Sequence, residues 1–590
     1  MGQKRSADRR TGAMRTSRVW LCGALLLVVV TLVAYGPALE GGYIWDDDRY
    51  VTENVELRSP KGLERIWFDP SATVQYYPLV HSSFWIQHRM DDPFPGEDPD
   101  PFPFHLVNVL LHAANALLLW TLLRALGLPF AWLGAALFAL HPVQVESVAW
   151  ITERKNVLSG LFALGAALAY VRFAGLSSRP RGGLGWYAAA LVLFLLGLLS
   201  KTVVAMLPGA LLLVLWWRRG FLTRRDVMSL LPMFALGLAA GLFTAFLEKH
   251  QVGAQGPAFD LSFLDRVLIA GRALWFYAGK LVWPAELTFV YRRWSVDAVV
   301  WWQWFYPLGV GAALAALWLW RGRLGRGPLV AACVFAGVLF PALGFIDVFP
   351  MQYSFVADHF QYHASIVLIA ACAGGLGRLA AGWRRWRRGL LVAGAGALLL
   401  VLGGLTWQQA HIYRDAPSVW RDTLRKNPRA TLALNNLGVW LAREGELHAA
   451  RDLLQRSLDV DAEQPRGHEN YANVLSDLGL LDEAIVHYRQ ALALAPQFGE
   501  DRRTMHLNLG LAYRKKGMLE EAIDQFERGR ELAFWDPRLH YALGEALLAA
   551  GRRGKAERAF REALRRSGAD VQIRDRAERI LRRLGAEPQP

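Results

Sequence analysis

Apolar residues crowd the first two thirds of the chain into long runs. A membrane span needs about 20 mostly apolar residues. On that rule the pattern predicts spans near 19–36, 105–123, 129–141, 156–174, 185–199, 203–217, 228–247, 301–320, 328–346, 364–380 and 389–406, about eleven in all. The runs at 129–141, 185–199 and 203–217 are short for the purpose. Residues 262–283 are apolar as well, but Asp265, Arg272 and Lys280 recur there at about two-turn spacing. That stretch reads as an amphipathic helix lying in the interface, ended by the Trp283-Pro284 break.

After residue 430 the pattern becomes a repeat. Gly438, Ala472, Gly510 and Gly544 are spaced 34, 38 and 34 apart. Seven residues after each stands a glycine: Gly445, Gly479, Gly517 and Gly551. Ala450, Ala484, Ala522 and Ala556 follow, and then the large residues Leu454, Tyr488, Phe526 and Phe560. A small residue at a helix crossing, a glycine at the turn and a large residue filling the next groove form the tetratricopeptide pattern. Helix pairs of this kind stack into a superhelix with a concave binding surface.

Charge sharpens the division. The 590 residues carry 66 basic and 51 acidic side chains, a net charge of +15. Most of that excess lies before residue 407, in short arginine clusters between apolar runs. This is the charge pattern of a polytopic membrane domain and excludes a nucleic-acid-binding face or a disordered chain. The positive-inside rule makes residues 1–18 a cytoplasmic basic tail and puts the clusters at Arg218 to Arg225, Arg321 to Arg326 and Arg384 to Arg388 on the same side. An odd number of spans then carries residues 407–590 to the outer side. The first outer loop, 37–104, has 13 acids against five bases. Cys22, Cys333 and Cys372 are widely spaced within apolar segments and read as small buried hydrophobes.

Polar residues that are costly near a bilayer mark the candidate chemistry. The first outer loop opens with Trp45-Asp46-Asp47-Asp48, where adjacent carboxylates raise one another's pKa and suit proton or cation binding. A second cluster runs from His141 through Glu146 to Glu153-Arg154-Lys155, where Arg154 and Lys155 could hold a phosphate. Ser200-Lys201 sits between two spans, and Asp358-His359 stands just before another. His105, Asn108 and His112 share one face of a span. By the topology these clusters fall on the outer side. They suggest a cavity entered from the lipid by a substrate with a phosphate head.

The order of these motifs resembles the transmembrane-and-tetratricopeptide O-mannosyltransferase-like family, bacterial members included, within the GT-C glycosyltransferases. The resemblance is carried by Trp45-Asp46-Asp47, the stretch Phe104 to His112, His141-Pro142 through Glu146-Ser147-Val148-Ala149, Ser200-Lys201, Pro284, Ala357-Asp358 and the terminal repeats. It implies an all-α chain: a GT-C-like membrane bundle over 19–406, then a periplasmic tetratricopeptide solenoid over 407–590 with about four repeats in 431–568. The implied reaction moves a sugar from a polyprenyl-phosphate carrier to a protein hydroxyl on the outer side of a bacterial inner membrane. The repeats would recruit the acceptor protein. Asp46, Asp47 and Glu146 become the expected catalytic residues, and Arg154, Lys155, Lys201 and His359 the expected donor-phosphate contacts. Trp45, His105, His112, His141 and Asp358 are expected to support them. No residue set reads as a metal site, and a divalent cation at the acidic trio is an additional requirement the loop could serve. Two positions depart from the related pattern. Thr202 follows Ser200-Lys201 where an acid is common, and His359 follows Asp358 where an arginine is common. His359 would grip a phosphate only when protonated. The alternatives are a non-catalytic scaffold for envelope assembly and transfer to a glycan or lipid.

Overall fold

A computed structural model describes residues 2–91, 98–177, 181–495, 500–568 and 570–585, without the side chains of 2–17, 500 and 501. The side chains of the expected basic tail therefore lie outside the described residues, Arg18 excepted. The chain is all-helical, with no strand among the described residues. It divides into two compact units, 1–426 and 427–590.

The first unit is built on α1 (Gly2–Ala34), α2 (Pro78–Asp91), α3 (Pro101–Ala125), α4 (Ala131–Leu140), α5 (Arg154–Phe173), α6 (Leu184–Leu198), α7 (Leu207–Arg219), α8 (Arg224–Leu247), α9 (Phe263–Val282), α10 (Phe305–Leu319), α11 (Gly327–Leu339), α12 (Tyr362–Leu379), α13 (Arg385–Ile412) and α14 (Ala416–Lys426). All eleven expected spans fall on helices. Six helical segments are long and apolar enough to cross a membrane: Pro101–Ala125, Ile151–Phe173, Thr202–Arg219, Arg224–Val252, Asp358–Gly382 and Arg385–Ile412. Shorter apolar helices, such as Arg18–Ala34 and Leu184–Leu198, accompany them. In α8 only Asp226, Leu230, Met233 and Gly237 are buried, so most of an apolar helix faces outward. An apolar surface of that extent is what a helix presents to lipid.

The amphipathic stretch forms α9, which starts at a reciprocal Ser262–Asp265 cap and ends where Trp283 N–H donates to Gly279. Its inner face buries Leu268, Ile269, Ala273 and Tyr277, while Phe263, Trp275 and Val282 stay exposed. The described part of segment 37–104 is no open loop. Short helices at Val55–Arg58 and Gly62–Phe68 and the helix α2 pack Tyr50, Val51, Leu57, Ile66, Val80 and Phe84 into a core with Phe104 and Ile151. The cysteines depart from expectation: Cys22 and Cys372 are exposed and Cys333 is partly so. Their helices are apolar on the outer face too, so apolar character alone does not place a thiol inside.

The arginine-rich turns converge. Arg219 donates to the Ala174 carbonyl and pairs with Asp226 at 2.6 Å. A side chain at Gly220 would strike Arg326, and a Cβ at Gly325 would come within 3.9 Å of Arg378. The turns that carry these clusters thus gather at one end of the bundle.

The second unit pairs α15 (Thr431–Arg443) with α16 (Leu447–Val460), α17 (Pro465–Asp477) with α18 (Leu481–Leu494), α19 (Glu500–Lys515) with α20 (Leu519–Leu532) and α21 (Pro537–Ala549) with α22 (Arg553–Arg566), and ends on α23 (Val571–Arg583). The pattern residues play the predicted parts. Gly445, Gly479, Gly517 and Gly551 turn the chain at φ between 74° and 83°, where only glycine rests without strain. A Cβ at Gly510 would meet the Phe526 ring at 2.5 Å, and one at Gly544 would meet Phe560 at 2.8 Å. Ala450, Ala484, Ala522 and Ala556 are fully buried at the crossings.

Candidate functional site

The segments picked out by chemistry meet at one end of the first unit. The turn after α1 brings Trp45 into left-handed backbone at φ 43°, a costly state for a bulky residue. Packing holds it there. Its indole stacks on Trp150 with ring centroids 5.5 Å apart and meets Phe289 and Trp420 edge-on at 5.5 and 6.5 Å. Beyond it Asp47 is fully buried. One carboxylate oxygen accepts from the Thr152 backbone N–H at 2.8 Å and the Thr152 hydroxyl at 2.6 Å; the other accepts from Ile44 N–H at 2.9 Å. These bonds make Asp47 the brace that ties the turn to the start of α5. Burial pushes its carboxyl up to about 7 despite the hydrogen bonds, with a smaller upward contribution from Asp46. The mutual effect of adjacent carboxylates is therefore real but secondary. Asp46 is only half-buried.

At the start of α5, consecutive residues point different ways because a helix turns about 100° per residue. Glu153 is buried, with Lys155 Nζ at 3.0 Å and Lys201 Nζ at 3.1 Å. Asn156 donates to the same carboxylate at 2.6 Å. Lys155 also lies over the Tyr50 ring at 5.4 Å and the Trp150 ring at 5.8 Å. The two ammonium groups share one carboxylate in direct contact, and Glu248, Asp46 and Glu146 act on them from farther off. Burial lowers the Lys201 ammonium to about 8, opposed by Glu153 and assisted by Lys155. Arg154 has a different fate. It is fully buried over the Phe84 ring at 4.4 Å, and donates to Asn108, Ser83, Gln87 and the Phe104 carbonyl. Its guanidinium is spent on joining α2, α3 and α5.

Glu146 and His359 meet from segments 213 residues apart. Glu146 accepts from the His359 backbone N–H at 3.0 Å and contacts His359 Nδ1 at 3.0 Å. Asn156 also donates to the His359 carbonyl at 2.9 Å, so this pair adjoins the Glu153 cluster. Asp358, one residue earlier, turns away and accepts from the Tyr291 hydroxyl at 3.0 Å. Thr202, where an acid was the commoner residue, shares a hydrogen bond of 2.6 Å with Thr244.

The expected supporting histidines brace the scaffold. His105 contacts the Gly42 carbonyl at 3.3 Å. His112 bridges the Tyr362 hydroxyl and the Ala139 carbonyl at 2.9 and 3.1 Å. His141 contacts the Leu281 carbonyl at 3.0 Å. Among the described residues no three His, Cys, Asp or Glu side chains gather to hold a metal ion. Asp47, one of the acidic trio expected to suit a divalent cation, gives its oxygens to protein donors.

Three residues here had no role in the sequence reading. Glu153 organises both lysines; its place between Thr152 and Arg154-Lys155 was the available signal. Gln75 accepts from Tyr50 at 2.7 Å and donates to Glu248 at 2.6 Å. Neither Gln75 nor Glu248 sits in a motif, so only the fold reveals them.

Two family profiles described as tetratricopeptide repeat match residues 405–468 and 463–533. Among characterised proteins, the chain is 24% identical over 593 residues to "Protein O-mannosyl-transferase Tmtc3" of Drosophila melanogaster, covering 83% of this chain and 60% of that protein. It is 22% identical to "Protein O-mannosyl-transferase TMTC3" of Mus musculus, over 92% of this chain and 64% of that one. A shorter stretch of 186 residues is 34% identical to "Protein O-mannosyl-transferase TMTC1" of Mus musculus. The chain thus spans less than two thirds of the length of the first two relatives. Over most of its own length, apolar helices and repeats together, the chain is similar to proteins named protein O-mannosyl-transferases.

Proposed function

We propose that this chain is a membrane glycosyltransferase that moves a sugar from a polyprenyl-phosphate carrier to a protein hydroxyl. The observation that carries the reading is the buried pair Lys155 and Lys201 on the single carboxylate of Glu153, beside the acidic turn at Trp45-Asp46-Asp47. A preorganised cationic site in a water-poor pocket suits the charge that develops on a departing phosphate. Asp46, half-buried next to Asp47, is assigned to orient the acceptor hydroxyl. Arg154 supports the site by joining its helices rather than by touching the donor. The names of the relatives favour a protein acceptor, and the repeats suit its recruitment. In a bacterium, arginine clusters at the opposite end would face the cytoplasm and the site would open on the outer side.

The test is sugar transfer from a polyprenyl-phosphate-linked donor to an acceptor protein, using membranes that carry the full chain. Lys201→Ala should lower the rate about 100-fold or more while the protein still accumulates. A variant as fast as the parent overturns the assignment. The scaffold reading draws on one observation, that both lysines already have a carboxylate partner. It predicts no transfer by the parent chain.

A further inference from the structure

His359 is held in an arrangement that its expected role, a phosphate grip, does not require. Its backbone N–H and its Nδ1 both engage the two oxygens of Glu146, each at 3.0 Å. Against an ionised carboxylate Nδ1 must carry the proton. The neutral ring then presents a bare lone pair at Nε2. No described group hydrogen-bonds that atom. The ring is set by Trp150 edge-on at 5.8 Å and Phe360 at 4.5 Å. Asn156 ties the His359 carbonyl to the Glu153 carboxylate. His359 therefore adjoins the Lys155–Glu153–Lys201 cluster, with its ring near enough to act on the Glu153 carboxylate.

We propose that His359 is the general base of the transfer reaction and that Glu146 is its positioning residue. The proposal rests on the transferase reading above. The acceptor hydroxyl gives its proton to His359 Nε2 as its oxygen bonds to the anomeric carbon. The bond from that carbon to the carrier phosphate breaks, and its electron pair leaves on the phosphate oxygen, opposite Lys155 and Lys201. The imidazolium returns its proton to water after the product departs. Glu146 fixes the tautomer beforehand and stabilises the imidazolium as it forms. A carboxylate that orients a histidine in this way leads to a specific expectation for its amide. In Glu146→Gln the side chain can still accept from the His359 backbone N–H, but its amide group must then donate to Nδ1. That turns Nε2 into a donor and removes the base. The imidazole is also the side chain best suited to accept a proton near neutral pH.

Glu153, Lys201, Asp358 and the phenols of Tyr277, Tyr291 and Tyr413 are the titratable groups that face the pair, with Lys155 on the far side of Glu153, so the test holds them constant. Transfer from a polyprenyl-phosphate-linked sugar to an acceptor peptide is measured with the full chain in detergent, across about pH 5 to pH 8. The parent rate should rise through one ionisation and then level before the alkaline fall that Lys201 sets. His359→Gln should lose that rise and fall roughly 100-fold or more. Glu146→Gln should behave alike, and Glu146→Asp should recover part of the rate together with the rise. A parent rate independent of pH overturns the proposal without recourse to any variant. So does a folded Glu146→Gln or His359→Gln with the parent's rate and profile. A parent chain that transfers no sugar at all overturns the transferase reading itself, which is a separate outcome.

Discussion

At the scale of residues, two groups carry pH-dependent consequences outside the spans. Asp47 titrates near 7 when folded, against 3.8 for an unperturbed carboxyl, because burial outweighs its hydrogen bonds. Folding therefore favours its protonated form. The stability this supplies is full below about pH 4 and is lost as pH rises through 7. Asp47→Asn should flatten the dependence of the thermal midpoint on pH over that window. Asp47→Ala should cost about 1–3 kcal/mol at neutral pH by leaving the Ile44 and Thr152 N–H groups unpaired. Lys201 titrates near 8, so a phosphate contact through it weakens as pH rises above that value. Lys201→Arg keeps its charge throughout and should move the alkaline fall in transfer rate upward. A fall at the same pH in both proteins removes Lys201 from that role.

At the scale of elements, the repeats and the acidic turn are held by different means. Each helical hairpin of the second unit depends on a large side chain seated on a small one. Phe526 is fully buried against Gly510, so Phe526→Ala should cost about 3–5 kcal/mol through the cavity it leaves. Val486 is 52% exposed, and Val486→Ala should change stability by less than about 0.5 kcal/mol. Urea unfolding of residues 427–590 measures both. The acidic turn has no such repeat to lean on. Its strained Trp45 depends on Trp150 and Phe289, and on Trp420 of α14. These three residues come from segments far apart in the chain, and none of them lies in the turn they support.

At the scale of the whole molecule, α14 changes where the membrane unit ends. The apolar pattern stops near residue 406, yet the first compact unit runs to Lys426. Trp420 packs on Trp45 and Phe289, Gly42 N–H donates to the Arg414 carbonyl at 2.7 Å, and Lys426 donates to the Leu287 carbonyl at 2.5 Å. A chain truncated after Lys426 should keep sugar transfer to a small peptide. One truncated after Thr406 should lose at least about tenfold, because the turn at Trp45 is no longer covered. Equal activity in the two truncations makes α14 dispensable to the site.

By itself the sequence determined the division into an apolar helical part and a repeat array, the position of each apolar helix and the phase of the tetratricopeptides. It did so because these follow from local composition and from spacings a helix imposes. Asp47, His105, His112, His141 and Arg154 were legible as unusual, since polar groups among apolar helices need partners. Whether each partner was substrate or protein was not legible. That depends on which groups arrive from distant segments: Thr152 at Asp47, Asn108 at Arg154, His359 at Glu146. Only the tertiary structure decided that Asp47 and Arg154 brace the fold, that Glu153 gathers the two lysines and that Glu146 fixes one imidazole. A buried polar group takes its role from the donors and acceptors within about 3 Å of it, and chain separation carries no record of them.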